Sequence, residues 1–281
     1  FFVDGIFQPY DIENVQVDAS GEDAFIEKFM EYQDLRKSGK ELPSLEAALA
    51  LLGKNLIFSP SNEGDFKWED QPISYKLLRN EKTVIGLYGD VKKSDLEDVN
   101  KMIQVLHAVA PGLDISYSSK TKDVTLPVHF TECEDKLARH IGCKSEGFVG
   151  VYMGNWKDYV WVDSSKRGDY RSHILIHEIG HALGLGHNLC WTSAMTYEFS
   201  GPQVPYLSHI DLMQLQILYH PDLTPSYNYK AAKRSLGRQQ VINKLGLSEE
   251  RVAYYEDNIE EACYQKPGVY DYLIELQGTE D

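Results

Sequence analysis

The sequence predicts an α+β protein, and three observations lead to this prediction. Strand patterns and a helix precede a helical segment at residues 170–187, and helical patterns recur at both ends of the chain. The 281 residues suffice for one large domain with small additions, and 42% hydrophobic with 25% charged residues is an ordinary globular composition. We therefore expect a core domain at residues 65–222, an N-terminal helical extension at 1–64 and a C-terminal helical extension at 223–281.

The N-terminal extension contains two helical patterns followed by a polar linker. The first pattern lies near residues 22–37. The second lies between Ser44, which suits a helix N-cap, and Gly53, which suits the position just after a helix end. A polar cluster at residues 59–64 follows, and such clusters are typical of junctions between structural units. We expect the first domain boundary there.

Within the core domain, hydrophobic periodicity predicts one helix among several strands. Residues 94–97 read Ser-Asp-Leu-Glu, a capping-box sequence, and apolar residues at helical spacing continue from there towards Pro111. Alternating or short apolar patterns predict the strands. These are expected at 72–77, 113–117, 124–130, 147–153 and 158–163. Beyond residue 222 the sequence predicts helices again, at 229–245 and 248–263.

The charge and hydropathy of the chain argue against two kinds of partner. The chain has 28 basic and 43 acidic residues, a net charge of −15 at pH 7 and a pI near 5.0. Proteins that bind nucleic acid or anionic lipid surfaces carry basic patches, so we expect no nucleic-acid partner. No run of about 18 apolar residues occurs. The sequence starts at Phe1 without Met or a basic-apolar leader, so we expect a processed chain with no membrane-spanning segment.

The four cysteines leave two states open. Cys133, Cys143, Cys190 and Cys263 lack the paired Cys-x-x-Cys spacing of a structural zinc site. An even number permits two disulfides, in which Cys133 and Cys143 close a short loop and the remaining two cysteines form the second bond. That arrangement suits an oxidising compartment. Four reduced and mostly buried thiols are the alternative.

Residues 177–187, HEIGHALGLGH, have the spacing of metal ligands. His177 and His181 are four residues apart, so a helix places both imidazoles on one face, where a zinc ion can bind them. Glu178 projects to the side of the first ligand, where its carboxylate can reach a water on the metal. We therefore predict two zinc ligands and, in Glu178, the general base.

The third histidine, His187, can reach the same ion only if the helix ends before it. On a continued helix, a residue six positions after His181 would lie roughly 240° around the axis, away from the metal face. Gly184 can adopt the left-handed conformation that ends a helix, and Gly186 adds further freedom. Three neutral imidazoles leave the fourth position of a tetrahedral site open, as in a catalytic zinc centre. The predicted site therefore holds one zinc ion.

This pattern resembles the signature of the metzincin clan of zinc endopeptidases, HExxHxxGxxH followed by a methionine-bearing turn. Met195 lies eight residues after His187 and corresponds by resemblance to the Met-turn residue, which packs beneath the metal. Residues 207–219 are similar to the last helix of matrix metalloproteinase catalytic domains, and the order of elements from Trp68 onward is also matrixin-like. The resemblance covers about residues 66–222. It implies a metzincin-like zincin fold with a mixed twisted sheet, an active-site helix and a Met-turn.

The sequence departs from the matrixin pattern in two respects. Tyr197, two residues after the methionine, matches astacins and serralysins, in which such a tyrosine can approach the zinc and stabilise the oxyanion. An ordinary buried tyrosine is the alternative. No cysteine precedes Cys133, so the matrixin propeptide cysteine is absent and a cysteine-switch zymogen is not expected. The acidic clusters at 256–261 are better explained as a solvated helix face than as a calcium site, so calcium is possible but unsupported.

These observations together predict a zinc metalloendopeptidase, a hydrolase in which Glu178 takes a proton from a metal-activated water and delivers it to the leaving amine. A protein or peptide substrate would lie extended along the sheet edge at 147–153. We expect a secreted or cell-envelope protein, and a monomer is favoured. One alternative is a metal-stabilised surface or binding protein. The other is a self-inhibited zymogen that becomes competent after removal of residues 1–64.

Overall fold

The structure of the protein is a computed structural model that describes part of the chain. The described residues are 2–3, 6–7, 44–53, 73–76, 82–133, 149–153, 159–188, 190, 193–196, 205–220, 223, 233–236 and 238–262. The predicted helix at 22–37 and the predicted linker at 59–64 lie outside them. Both predicted domain boundaries also fall on residues outside the described part and stay predictions.

The described residues form nine strands and six α-helices. The strands are β1 (Phe2–Val3), β2 (Ile6–Phe7), β3 (Ile73–Lys76), β4 (Thr83–Gly89), β5 (Ile115–Tyr117), β6 (Leu126–Thr131), β7 (Gly150–Met153), β8 (Tyr159–Asp163) and β9 (Lys233–Leu236). The helices are α1 (Leu45–Gly53), α2 (Lys93–Val109), α3 (Gly168–Ala182), α4 (His209–Leu218), α5 (Arg238–Leu245) and α6 (Glu249–Asp257). Short 3₁₀ turns lie at Thr121–Asp123 and Ile259–Ala262. None of these helices is long and apolar enough to span a membrane.

A five-stranded mixed sheet carries the site. Its order is β5-β4-β6-β8-β7, in which the first four strands are parallel and β7 runs antiparallel to β8. Burial alternates along β6, with Leu126, Val128 and Phe130 buried, as the period of two predicts. The helices α2 and α3 pack against the sheet and against each other. The predicted α+β fold of the metzincin type is confirmed.

The sequence reading missed one strand of this sheet and misassigned part of another segment. β4, with its β-branched start Thr-Val-Ile, pairs with both β5 and β6, although no strand was expected at 83–89. The expected strand at 72–77 forms β3 outside this sheet, where it pairs antiparallel with β9. The prediction of a helix over 229–245 is therefore wrong at β9 and confirmed from Arg238 to Leu245, while residues 229–232 lie outside the described part of the chain. A partner strand distant in sequence overrode the local helical pattern.

The two terminal extensions pack against each other through α1 and α6. Ser44 caps α1 as predicted, since its hydroxyl accepts the Ala47 N–H at 3.3 Å. Every α1 residue except Glu46 is buried, and α1 packs against both α4 and α6. Side chains of the C-terminal helices, such as Val252, belong to the same hydrophobic core. The extensions thus share one core with the predicted central domain.

A buried ion pair joins the starts of α2 and α3. Arg171 donates from Nε to Asp95 Oδ1 at 2.8 Å and from Nη2 to Oδ2 at 2.7 Å, and both side chains are almost fully buried. The Asp95 carboxylate also accepts the Lys92 N–H at 2.7 Å, so α2 begins earlier than the expected cap at Ser94. The guanidinium lies 4.5 Å from the centre of the Phe130 ring. This pair fixes the amino end of α3 against α2 and the sheet.

Candidate metal centre

Three histidine side chains converge at the end of α3. The Nε2 atoms of His177 and His181 are 3.0 Å apart, and each lies 3.1 Å from Nε2 of His187. The ligand atoms of these three residues form a group that could hold a metal ion. The predicted ligand set is therefore brought together at one point.

The chain turns after α3 as the glycine spacing predicts. Gly184 has φ +99°, in the left-handed region that favours glycine. The Leu185 N–H donates back to the Gly180 carbonyl at 3.0 Å, closing the turn. Tyr219, at the end of α4, donates its hydroxyl to the Leu183 carbonyl at 2.9 Å. This turn takes His187 off the helix and brings it back to the other two ligands.

The donor set fits a zinc ion. His177 Nδ1 lies 2.7 Å from the Ala194 carbonyl, and His181 Nδ1 lies 2.8 Å from the Leu185 carbonyl. An imidazole that donates Nδ1–H to a carbonyl presents Nε2 as the metal-binding atom. Tetrahedral zinc with bonds of about 2.0–2.1 Å would hold its nitrogens roughly 3.3 Å apart, close to the spacing found here. The three histidines would therefore bind the metal without rearrangement.

Burial also keeps these imidazoles neutral, which is the charge state that binds a metal. Desolvation lowers the pKa of His177 well below its usual value and lowers that of His181. The pKa of His187 falls to about 3, mainly through burial and secondarily through His181. Neutral imidazole is the form that binds a metal. The site is thus prepared to accept a cation at neutral pH.

Glu178 points to the side of α3 that faces the edge strand β7. Its side chain is buried, and burial raises its pKa to about 8 despite a hydrogen bond from the Tyr152 backbone N–H, which lowers it. In the metal-free protein, burial therefore favours the protonated form of this carboxyl group at neutral pH. This is the position expected for a base that serves the metal centre without binding the metal.

Met195 lies beneath the active-site helix, as the resemblance implies. It is fully buried, and a Cβ placed on Gly180 would be 2.4 Å from its sulfur, so the Met-turn packs directly on α3. The Asn188 N–H donates to the Met195 carbonyl at 2.9 Å, which ties the turn to the segment that carries His187. The Met-turn therefore supports both ends of the ligand set.

Asp211 of α4 is a site residue that sequence reasoning missed. Its buried carboxylate accepts the N–H groups of Ala194 and Ser208 at 2.9 Å each, the Ser208 hydroxyl at 2.8 Å and the Ser193 hydroxyl. The Ala194 carbonyl in turn bonds the ligand His177. The sequence signal was present, since Ser208 and Asp211 have capping-box spacing at the start of α4.

Three sequence-based predictions concern His173, Tyr197 and the cysteines. His173, predicted not to be a ligand, is buried with its ring 5.8 Å from that of His177 and is not in the converging group. Tyr197 lies outside the described residues. Cys133 and Cys190 have no free thiol, while Cys143 and Cys263 lie outside the described residues, so the disulfide pairing stays a prediction.

The match to one family model agrees with this geometry. The matrixin family model matches residues 67–220, more than half of the chain. Among solved structures, that of myroilysin matches 53% of this chain and 100% of its own length, at 16% sequence identity and a TM-score of 0.36. None of the curated proteins matches the chain. On the extent of the family match, the chain belongs to the matrixin family of zinc metalloproteases.

Proposed function

We propose that this protein is a zinc endopeptidase that cleaves extended protein or peptide substrates, with Glu178 as its general base. The observation that carries the proposal is the convergence of three Nε2 atoms within 3.1 Å beside a buried carboxylate. A structural metal site has no use for such a carboxylate, and burying one without a strong partner costs stability. The combination therefore favours an enzyme over a metal-stabilised binding protein.

The histidines would hold the metal, and Glu178 would move the proton. His177, His181 and His187 are the proposed ligands. When bound, zinc would supply a Lewis acid for the scissile carbonyl and lower the pKa of water at the site. Glu178 would accept a proton from the attacking water and deliver it to the leaving amine. Burial, which raises the pKa of Glu178 to about 8 in the metal-free protein, favours the protonated form that delivers a proton, and the charge of a bound zinc ion would favour the carboxylate that accepts one.

The substrate would add to the sheet at β7. This strand lies at the end of the sheet order, and no described strand pairs with its other side. An edge strand can bind an extended peptide through main-chain hydrogen bonds. Since β7 also contacts α3, a peptide along that edge would pass beside Glu178 and the metal centre. A substrate bound along this edge would extend past the metal centre on both sides, which supports cleavage of internal peptide bonds.

Two further features are part of the proposal. Tyr197 would stabilise the oxyanion. The substitution Tyr197→Phe is then expected to lower kcat without changing zinc content, and an unchanged rate would assign the residue to the core.

The protein would act as a monomer in the secreted or cell-envelope space, and the absence of free thiols at Cys133 and Cys190 supports an oxidising compartment.

Digestion of a mixed peptide library tests the proposed activity, with cut sites identified by mass spectrometry. The zinc-loaded protein is expected to cut internal bonds, and a chelator should abolish the cleavage. Glu178→Ala should retain zinc but not cleave, whereas His181→Ala should lose both. If the zinc-loaded wild-type protein cuts nothing, the endopeptidase proposal fails for this form of the chain and the binding-protein alternative gains support.

A further inference from the structure

Gly150 of β7 makes an unusually close approach to the active-site helix. A Cβ placed on Gly150 would lie 2.8 Å from Glu178 Oε1, 2.9 Å from Glu178 Cγ and 2.4 Å from Ile174 Cγ2. Real Cβ atoms essentially never lie within 3.0 Å of a heavy atom of a non-neighbouring residue. Gly150 is not among the glycines with positive φ, so the position needs glycine for space rather than for backbone conformation.

The position of Gly150 in the sheet explains this approach. Gly150 is in register with Val162, a fully buried residue of β8, so it faces the inner side of the sheet. Two residues later, Tyr152 occupies the same face. Its backbone N–H donates to the Glu178 carboxylate. The short distance between β7 and α3 at Gly150 therefore makes that hydrogen bond possible.

We propose that Gly150 is a positioning residue for the general base. Because it lacks a side chain, β7 can lie close enough to α3 for the Tyr152 amide to hold the Glu178 carboxylate. The inference rests on the proposed function of Glu178. A catalytic side chain works only when its neighbours restrict its rotamers, and a glutamate without a fixed partner has three free torsions. The edge strand would thus fix the base as well as receive substrate.

The substitution Gly150→Ala tests the proposal by its separate effects on kcat and KM. The added methyl group should displace the flexible end of the Glu178 side chain and break its bond to the Tyr152 amide. We expect kcat to fall about 10- to 100-fold, part of the contribution of a general base, while KM changes little. Zinc content should stay at the wild-type level, because no ligand is altered.

Gly86→Ala is a matched control for crowding in the sheet. Gly86 lies in β4 on the opposite face of the sheet, and a Cβ there would be 2.4 Å from Val124 Cγ2. A Cβ on Gly150 would be at the same distance from Ile174 Cγ2. This substitution should lower stability and leave kcat unchanged. If Gly86→Ala lowers kcat as much as Gly150→Ala does, strain in the sheet explains both effects and the proposal is overturned.

A second variant separates the two contacts of the added methyl group. Ile174→Ala in the Gly150→Ala background removes the clash with Ile174 and leaves the clash with Glu178. It also keeps the test valid if Gly150→Ala alone folds poorly. The proposal expects kcat to remain low in the double variant relative to Ile174→Ala alone. Full recovery of kcat would show that Gly150 serves only the packing of Ile174.

Hydrogen exchange at the Tyr152 amide gives a readout that does not depend on activity. In zinc-loaded protein, exchange should be at least about tenfold faster in Gly150→Ala than in wild type, because the amide has lost its acceptor. An unchanged exchange rate would contradict the inference. An inactive wild type, or a fully active Glu178→Ala, would instead contradict the proposed function, so the two failures are distinguishable.

Discussion

Asp211 and His177, a proposed zinc ligand, are linked through a single residue, Ala194. The Asp211 carboxylate accepts the Ala194 N–H at 2.9 Å, and the Ala194 carbonyl lies 2.7 Å from His177 Nδ1. The last helix of the matched region thereby holds the Met-turn, and the Met-turn sets the orientation of a ligand. Outer partners of metal-binding histidines fix the tautomer and direction of the ring.

Replacing Asp211 should therefore weaken both the fold and the metal site. Asp211→Ala leaves buried N–H and hydroxyl donors without an acceptor, which should lower the free energy of unfolding by about 3 kcal/mol. We also expect zinc affinity to fall about 10- to 100-fold, the usual effect of losing a ligand's supporting partner. Chelator competition measures the affinity and urea unfolding measures the stability.

Two control variants define the effect of Asp211. Asp211→Asn keeps the shape and one acceptor, so its losses should be smaller than those of the alanine variant. Asp257→Asn, at the exposed end of α6, should change neither quantity. Wild-type zinc affinity in Asp211→Ala would show that Ala194 orients His177 without help from α4.

The ion pair of Arg171 and Asp95 predicts a different mutational pattern. Arg171→Met leaves a carboxylate buried without its partner, which should cost about 3–5 kcal/mol of stability. Arg171→Met with Asp95→Asn removes the charge and keeps an acceptor for the Lys92 N–H, so it should recover much of that loss. Urea unfolding of the single and double variants makes the comparison. A double variant no more stable than Arg171→Met would mean that hydrogen bonding, rather than the unpaired charge, dominates.

The metal site was largely predictable from sequence, whereas its supporting contacts were not. His177, His181 and His187 lie within one turn and a loop of each other, so helix geometry and the glycine at 184 suffice to bring them together. The partners Arg171 and Asp95 are 76 residues apart, and no local pattern pairs them. The same limit applies to β9, whose local pattern is helical but whose distant partner β3 makes it a strand.

His187 should contribute a loss of stability to the metal-free protein as the pH falls. The pKa of His187 is about 3 in the folded protein, while an unfolded histidine has a pKa of about 6.5. Between these pH values the unfolded chain binds more protons, so acidification favours unfolding. The contribution of one such group is at most about 1.4 kcal/mol per pH unit.

A comparison of wild type with His187→Gln isolates this contribution. Glu178, whose pKa is raised to about 8, acts in the opposite direction between its unfolded and folded pKa values, so the total slope of either protein is ambiguous. The difference between the slopes of the two proteins is unambiguous. Unfolding in chelator at several pH values from about 4 to 7 should show a smaller loss of stability on acidification in His187→Gln. Parallel curves would contradict the low pKa of His187.

The burial of α1 predicts that residues 1–64 cannot be removed as a unit. Leu49 is fully buried in the core that α1 shares with α4 and α6, so Leu49→Ala should cost about 2–5 kcal/mol. Deleting residues 1–64 would remove the whole helix and uncover α4, which also carries Asp211. We expect that truncation to aggregate or to lose cooperative unfolding rather than to gain activity.

A shorter truncation separates inhibition from support of the fold. Deleting residues 1–43 keeps Ser44 and α1 in place, so the remaining chain should fold, and any rise in peptidase activity would assign an inhibitory role to the removed segment. If instead the chain without residues 1–64 is soluble, stable and more active, then α1 is dispensable. The protein is in that case a zymogen that becomes competent after removal of residues 1–64. The two truncations differ by α1 and the residues up to 64, so a difference between them locates the supporting element in that stretch.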